Sequence, residues 1–192
     1  EAVPCSAAGT LIETDDGQTP VEHLRIGDLV RTDSGALSPV KWVGHRRVSP
    51  LFRHQERDQV VRIDANTFGP GLPVQPLTLT ADHALLLGDV LCAAGALVNG
   101  STVHALPFHA LERDFTVYHV ETEGHELIRA NGLPAETFVD NISRRAFANF
   151  AEYEALYGAE RDAIPQLPLP RALSPRQIPA ALRAWLRAPD AA

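Results

Sequence analysis

Residues 77–87 read LTLTADHALLL. LTLT and ALLL are apolar stretches of strand length, and TADH between them reads as the point where the strand bends into a turn. Working outward, the same rhythm fills residues 5–138. TLIET, DLVRT, VKWVG, VVRI, TVYHV and ELIRA are further short apolar stretches. Turn signals separate them: DDG at 15–17, TDSG at 32–35, FGPGLP at 68–73, NGS at 99–101, EGH at 123–125 and NGLP at 131–134. Turns spaced by about ten residues predict an all-β body, sandwich or barrel-like, and not βαβ units. VEHLRIGD, residues 21–28, fits either one helical turn or a bend before the DLVRT strand.

Beyond residue 139 the pattern changes. RRAFANFAEYEALYG, residues 144–158, places Phe147, Phe150, Tyr153, Ala155, Leu156 and Tyr157 near one helical face, with Gly158 as the stop. The proline-rich IPQLPLPRALSPRQIP, residues 164–179, predicts extended, non-helical chain. PAALRAWLRA predicts a short helix from Pro179 with Leu182, Trp185 and Leu186 as its apolar face. The expected tail, 139–192, is a helical and proline-rich appendage packed on the β body, the alternative being a linker.

The 192 residues suit one domain with such an appendage, and 45% apolar residues suffice for a core. A net charge of −7 excludes nucleic-acid binding by general charge attraction. The longest apolar run, HALLLGDVLCAAGALV at 83–98, is broken by Asp89 and glycines. It falls short of the roughly 18–20 apolar residues of a spanning helix, so no membrane span is expected. The first residues do not read as a signal peptide, and the compartment stays open. Cys5 and Cys92 form neither a CxxC pair nor a zinc set by themselves, and a disulfide between them is unforced.

Three pieces could carry chemistry: Cys5 in CSAAGT, Thr80 and His83 in TADH, and VYHVETEGHELIRANG with His119 and His125. A cysteine that attacks the carbonyl on its own N-terminal side passes through a five-membered ring to a thioester. The sulfur must become a thiolate, and a nearby base or positive dipole favours that. The departing amide nitrogen needs a proton. The oxyanion needs donors. A histidine suits the proton transfer, and a threonine hydroxyl three residues before it can anchor the scissile peptide.

Each piece also has an ordinary reading. Cys5 fits core packing, Thr80 a strand position, Asp82 a turn residue bonded to its own backbone and His83 a satisfied buried histidine. His125 fits an exposed turn. Cys92, in DVLCAAGALVNG, reads as core, with a second acyl-capturing nucleophile as the alternative. His104 and His109 read as surface residues.

The order of the three pieces resembles that of the Hedgehog/intein (Hint) self-processing domains, in a bacterial intein-like subgroup. CSAAGTLIETDDGQTPVEHLRIGDLVRT resembles the family's first block: Cys, GT, a strand, DG, then GD before another strand. TADH is similar to its TxxH block, and VYHVETEGHELIRANG to its last, with VY, an acidic strand, a His and NG. The resemblance runs from residue 5 to about 138. It implies an all-β, pseudo-twofold horseshoe fold and divides the chain into upstream residues 1–4, an autoprocessing domain 5–138 and the tail. It implies that Cys5 is the nucleophile of an N-to-S acyl shift at the Pro4–Cys5 bond, that His83 protonates the nitrogen of that bond and that Thr80 holds or strains the peptide. His119 stands where inteins often carry Asp or Cys, in an acid/base or a structural role. His125 matches the late histidine that assists the C-terminal step of inteins.

The departures are as informative. Inteins close the last block with His-Asn and a nucleophile; here Ala135 and Glu136 fall where that pair would be, and the chain continues. Asn cyclisation is unavailable there, so cleavage without splicing is expected. The implied partner is the chain's own upstream polypeptide, with water, a thiol or another small nucleophile as acyl acceptor. The expected protein is a single-turnover monomer without a cofactor. A zinc ion bridging Cys5 and His83 would inhibit it. Pro4, bulky at the scissile carbonyl, should slow attack. The competing readings are a catalytically decayed Hint scaffold that binds or displays a partner, and a cysteine hydrolase acting in trans.

Overall fold

The computed structural model describes residues 3–48, 59–107, 110–111, 115–139, 143–158 and 163–186, of residue 185 only the backbone. The fold is mostly β-sheet with two small helices. Its strands are β1 (Ser6–Ala7), β2 (Leu11–Thr14), β3 (Gly17–Pro20), β4 (Leu29–Arg31), β5 (Leu37–Pro39), β6 (Trp42–Arg47), β7 (Val60–Ile63) and β8 (Leu77–Thr80). They continue with β9 (Ala84–Leu87), β10 (Val90–Ala93), β11 (Val103–Leu106), β12 (Thr116–Glu121), β13 (Leu127–Ala130), β14 (Leu133–Glu136) and β15 (Arg171–Ala172). Helix α1 spans Phe150–Tyr157 and α2 spans Ala180–Leu186. Each of the eight apolar stretches read as strands supplies one. VEHLRIGD opens with a 3₁₀ turn at Val21–His23.

Two sheets form. One runs β11-β7-β8-β1-β12-β6; the other runs β15-β10-β9-β14-β13-β2-β4-β5, with β3 paired to β2. Among the described residues three connections between consecutive strands cross from the first sheet to the second: β1 to β2 through AGT at 8–10, β8 to β9 through ADH at 81–83, and β12 to β13 through TEGHE at 122–126. These crossings coincide with the three chemistry-bearing pieces of the sequence. A corner between two packed sheets turns side chains away from the regular in-and-out alternation, so residues from separate corners can meet.

The NG at 131–132 closes the β13–β14 hairpin. Ala130 pairs with Leu133, leaving a two-residue loop. Asn131 (φ 49°) and Gly132 (φ 89°) both take left-handed backbone, as a type I′ turn requires. Asn131 is also buried, and its Oδ1 accepts the Leu11 N–H at 2.8 Å, which ties the hairpin to β2.

Among the described residues two apolar clusters fill the interior. The larger lies under the two sheets and includes Ile12, Leu79, Leu85, Cys92 and Ile128. The smaller gathers Val3, Cys5, Trp42, Val117 and Phe138 with Phe147, Tyr153 and Ile164 from the tail. Gly44 permits this second packing: a Cβ there would lie 2.8 Å from both Phe147 and Trp42. Cys5 and Cys92 sit in different clusters, each a free thiol.

The helix expected from the RRAFANF stretch is shorter than its apolar pattern. Arg144–Ala146 forms a 3₁₀ turn, and α1 begins only at Phe150. The stripe also divides. Phe147 and Tyr153 are buried, whereas Leu156 and Tyr157 stay exposed at 55% and 39%. The chain approaches the body along the first turn and leaves it at the last, so local periodicity overstated the packed face. α2 lies where expected, and Leu182 and Leu186 pack on the larger cluster. The Trp185 side chain and His109 lie outside the described residues. Among the described residues no helix is long and apolar enough to cross a membrane.

Candidate functional site

Strand register builds the site. β1 pairs antiparallel with both β8 and β12, with Ser6 opposite Leu79 on one side and Tyr118 on the other. Cys5, one residue earlier, therefore lies beside the end of β8, where Thr80 is the last residue. The Thr80 N–H donates to the Cys5 carbonyl at 2.9 Å. The Cys5 N–H donates to Thr80 Oγ1 at 2.8 Å, and that hydroxyl donates to the Val3 carbonyl at 2.8 Å. One side chain thus holds the backbone on both sides of Pro4.

His83 closes the same corner. Its N–H donates to the Thr80 carbonyl at 3.1 Å, which curls TADH into a turn. Its Nε2 lies 3.1 Å from the Glu136 carbonyl. A carbonyl only accepts, so Nε2 carries the hydrogen and Nδ1 is the bare nitrogen. Nδ1 is buried without a hydrogen bond. The ring lies beside the Cys5 backbone, and burial pulls its pKa down, against the Glu136 charge and contacts with the Cys5 and Glu136 backbones. His83 is therefore neutral at pH 7.

His119, on β12, meets His83 edge to face with ring centroids 5.2 Å apart. It stacks on Phe147 at 6.3 Å and sits 5.7 Å from Phe138. Burial above all, then the neighbouring His83, holds its pKa well below the usual histidine value. His125 is buried in its corner, not exposed on a turn. Its Nδ1 accepts the Leu167 N–H at 3.0 Å, and its Nε2 lies 3.3 Å from Glu136 Oε2 without hydrogen-bond alignment.

Cys5 is fully buried. Desolvation pushes its thiol far above the usual cysteine range, and the positive charge of Arg46 only partly opposes this. The sulfur at rest is thus a thiol under a cover of apolar side chains. Cys92 is raised to about 11 by burial alone and lies away from this group. His104 pairs with Asp64 at 3.0 Å, also apart from the site.

The sequence pattern did not single out Glu136 as part of the site. It is buried, accepts the Ala84 N–H at Oε1 (3.1 Å) and Arg171 Nη2 at Oε2 (2.6 Å). Burial disfavours its charge, but the His125 and Arg171 contacts prevail and depress its pKa to about 2. The tail supplies Arg171, Leu167 and the cover formed by Phe147, Tyr153 and Ile164. Glu136 was legible only as a departure from the His-Asn pair, and no local signal marks Arg171.

The His83 ring lies beside the Cys5 backbone. Among the described residues no group of three or more His, Cys, Asp or Glu is arranged to hold a metal.

The model of the Hint domain family matches residues 4–141. The chain belongs to the Hint domain family. Its fold is similar to the solution structure of a bacterial intein-like domain from Clostridium thermocellum, with a TM-score of 0.53 at 16% identity over 71% of this chain and 100% of that one. It is similar as well to the crystal structure of the gp41-1 intein, with a TM-score of 0.50 at 13% identity over 70% of this chain and 98% of the other. None of the curated proteins matches it in sequence. Hint domains are self-processing and act on their own flanking polypeptide. In this Hint domain the first and second sequence blocks meet at one peptide link, and the last block backs them with His119, His125 and Glu136.

Proposed function

We propose that this Hint domain breaks the Pro4–Cys5 bond in cis by an N-to-S acyl shift and does not splice. The observation that carries the reading is the Thr80 hydroxyl bonded on both sides of Pro4, with the bare Nδ1 of His83 in the same corner. Neutral His83 has no proton to spare on Nδ1, so it must first collect one. The Cys5 Sγ–H proton passes to Nδ1 as Sγ attacks the Pro4 carbonyl carbon. The tetrahedral intermediate then collapses: the C–N bond breaks, and Nδ1–H returns its proton to the Cys5 nitrogen. The products are a Pro4 thioester on Sγ and a free Cys5 amine, with charge and protons balanced. Water or a small thiol resolves the thioester, releasing the upstream acyl group and restoring the Cys5 thiol.

Thr80 acts as holder: its two hydrogen bonds keep the Val3–Cys5 backbone in register with His83. The raised Cys5 pKa opposes the first proton transfer, and the Pro4 ring adds steric resistance to the attack. Splicing has no support in the last block, where Glu136 is committed to Arg171 and Ala84. His119 and His125 supply packing and electrostatics around His83 and Glu136.

The test is a chain carrying a reporter domain ahead of Glu1, followed by intact mass. A hydrolysed reporter, or a thiol adduct when thiol is added, is expected. Cys5→Ala should abolish it, and His83→Ala should slow it at least tenfold, about 1.4 kcal/mol on the barrier. Equal cleavage by Cys5→Ala and the parent ends the reading. The complete burial of Cys5 favours a second reading, a decayed Hint scaffold that displays its upstream partner. An intact mass that stays constant for days, with and without dithiothreitol, selects it.

A further inference from the structure

We propose that Glu136, held by Arg171 from the tail, is a positioning residue that selects the tautomer of His83 and aims its bare nitrogen at the Pro4–Cys5 link. The proposal rests on the role of His83 as proton carrier argued above.

One residue grips the TADH corner twice. The Glu136 carbonyl accepts from His83 Nε2 at 3.1 Å, while its carboxylate accepts the N–H of the next residue, Ala84, at 3.1 Å. The ring and the peptide that carries it are thereby fixed to the same point on β14. A free neutral imidazole exchanges between two tautomers, and in a folded protein hydrogen bonding to its nitrogens fixes which one is present. Here the wrong tautomer would set a bare Nε2 against a carbonyl in a buried site, where an unsatisfied polar pair is heavily disfavoured.

The clamp needs a counter-charge. Glu136 is 2% exposed, and a buried carboxylate stays ionised only beside a cation. Arg171 supplies one at 2.6 Å, from β15, which joins the second sheet by parallel pairing with β10. The titratable groups that face Glu136 are His83 from its corner, His119 from β12, His125 from the next corner and Arg171. His125 accepts the Leu167 N–H at Nδ1, which orients its Nε2 toward the carboxylate. Two residues of the tail, Leu167 and Arg171, thus reach the reacting corner through Glu136. This links the appendage to the chemistry without its touching the scissile bond.

The experiment uses the full chain with an upstream reporter and two variants, Glu136→Ala and Arg171→Gln. Glu136→Ala keeps the main-chain carbonyl but removes the carboxylate that ties it to the Ala84 N–H, so the carbonyl and the His83 ring are no longer held to one point. Arg171 has a side chain 20% exposed, so its replacement leaves the core intact if Glu136→Ala fails to fold. Nitrogen-15 histidine spectra, recorded on the Cys5→Ala background, report the tautomer. In the parent, His83 should show a protonated Nε2 and a bare Nδ1; in either folded variant the signal should shift to a tautomer mixture. Cleavage of the Cys5-containing variants should slow at least tenfold with circular dichroism unchanged, and Arg171→Lys should recover most of the rate. An unchanged His83 tautomer in a folded variant overturns the proposal. So does cleavage within twofold of the parent. A parent that never cleaves defeats the autoprocessing reading instead, and the spectra still decide the positioning role.

Discussion

The Thr80 hydroxyl and the Cys5 amide are locked together at 2.8 Å, with the same hydroxyl donating to Val3 on the far side of Pro4. Both bonds are buried, so losing the hydroxyl leaves a buried N–H and a buried carbonyl without partners. Thr80→Val keeps the volume and should lower stability by roughly 1–3 kcal/mol. It should also slow reporter release at least tenfold, while Thr80→Ser stays within a few-fold of the parent. Denaturant titration and time-resolved mass measure the two effects. A Thr80→Val chain that releases the reporter at the parental rate removes Thr80 from the mechanism.

Acid should weaken the fold in two stages. His83 and His119 are held neutral, with folded pKa values below 6.5, and each takes up a proton on unfolding. The unfolded state then binds more protons between the folded value and 6.5, so stability falls as pH drops through that window. Glu136 follows, its contribution lost from about pH 4.5 down to about 2. Urea titrations of the Cys5→Ala chain at pH 7.5, 6 and 5 should show a falling midpoint, flattened in His119→Gln. Identical midpoints at pH 7.5 and 5 contradict this account.

Phe147 covers the site from the tail, packed on Trp42 at 5.4 Å and on His119. Phe147→Ala should cost roughly 3–5 kcal/mol as a large-to-small core change. It should also open the Cys5 cluster locally. Alkylation of Cys5 by iodoacetamide, located by peptide mapping, is expected to speed up at least tenfold while Cys92 labels as before. Parallel acceleration at both cysteines means global unfolding and argues against a local cover.

Arg144 donates to both carboxylate oxygens of Glu121, at 2.7 Å and 2.9 Å, and lies 4.2 Å over the Phe138 ring. Glu121 is fully buried. Arg144→Ala should therefore destabilise by roughly 3–5 kcal/mol, because a buried charge loses its main partner. The double change Arg144→Met with Glu121→Leu should recover much of that. If Arg144→Ala unfolds at the parental urea concentration, the pair is not a structural anchor.

Reading the sequence was most reliable where the signal is local. LTLT, ALLL, TVYHV and ELIRA became strands because alternation and short apolar length act within a few residues. NGLP became a hairpin because Asn131 and Gly132 accept left-handed backbone at low cost. The burial of His125 and the interruption of the RRAFANF helix were not readable. Both depend on which distant chain lies across them: Leu167 in one case, the Trp42–Gly44 surface in the other.

By itself, the amino-acid order determined the β-rich body, the corner residues Cys5, Thr80 and His83, and membership of a self-processing family. These follow from propensities and motifs that each segment carries alone. Tertiary structure decided that Glu136 and Arg171 back the histidine, that the tail seals the thiol, and that Cys92 stands apart. Those outcomes hang on sheet register and on burial, which couple residues far apart in the chain. A carboxylate or an arginine becomes part of a site only when its neighbours remove the water around it.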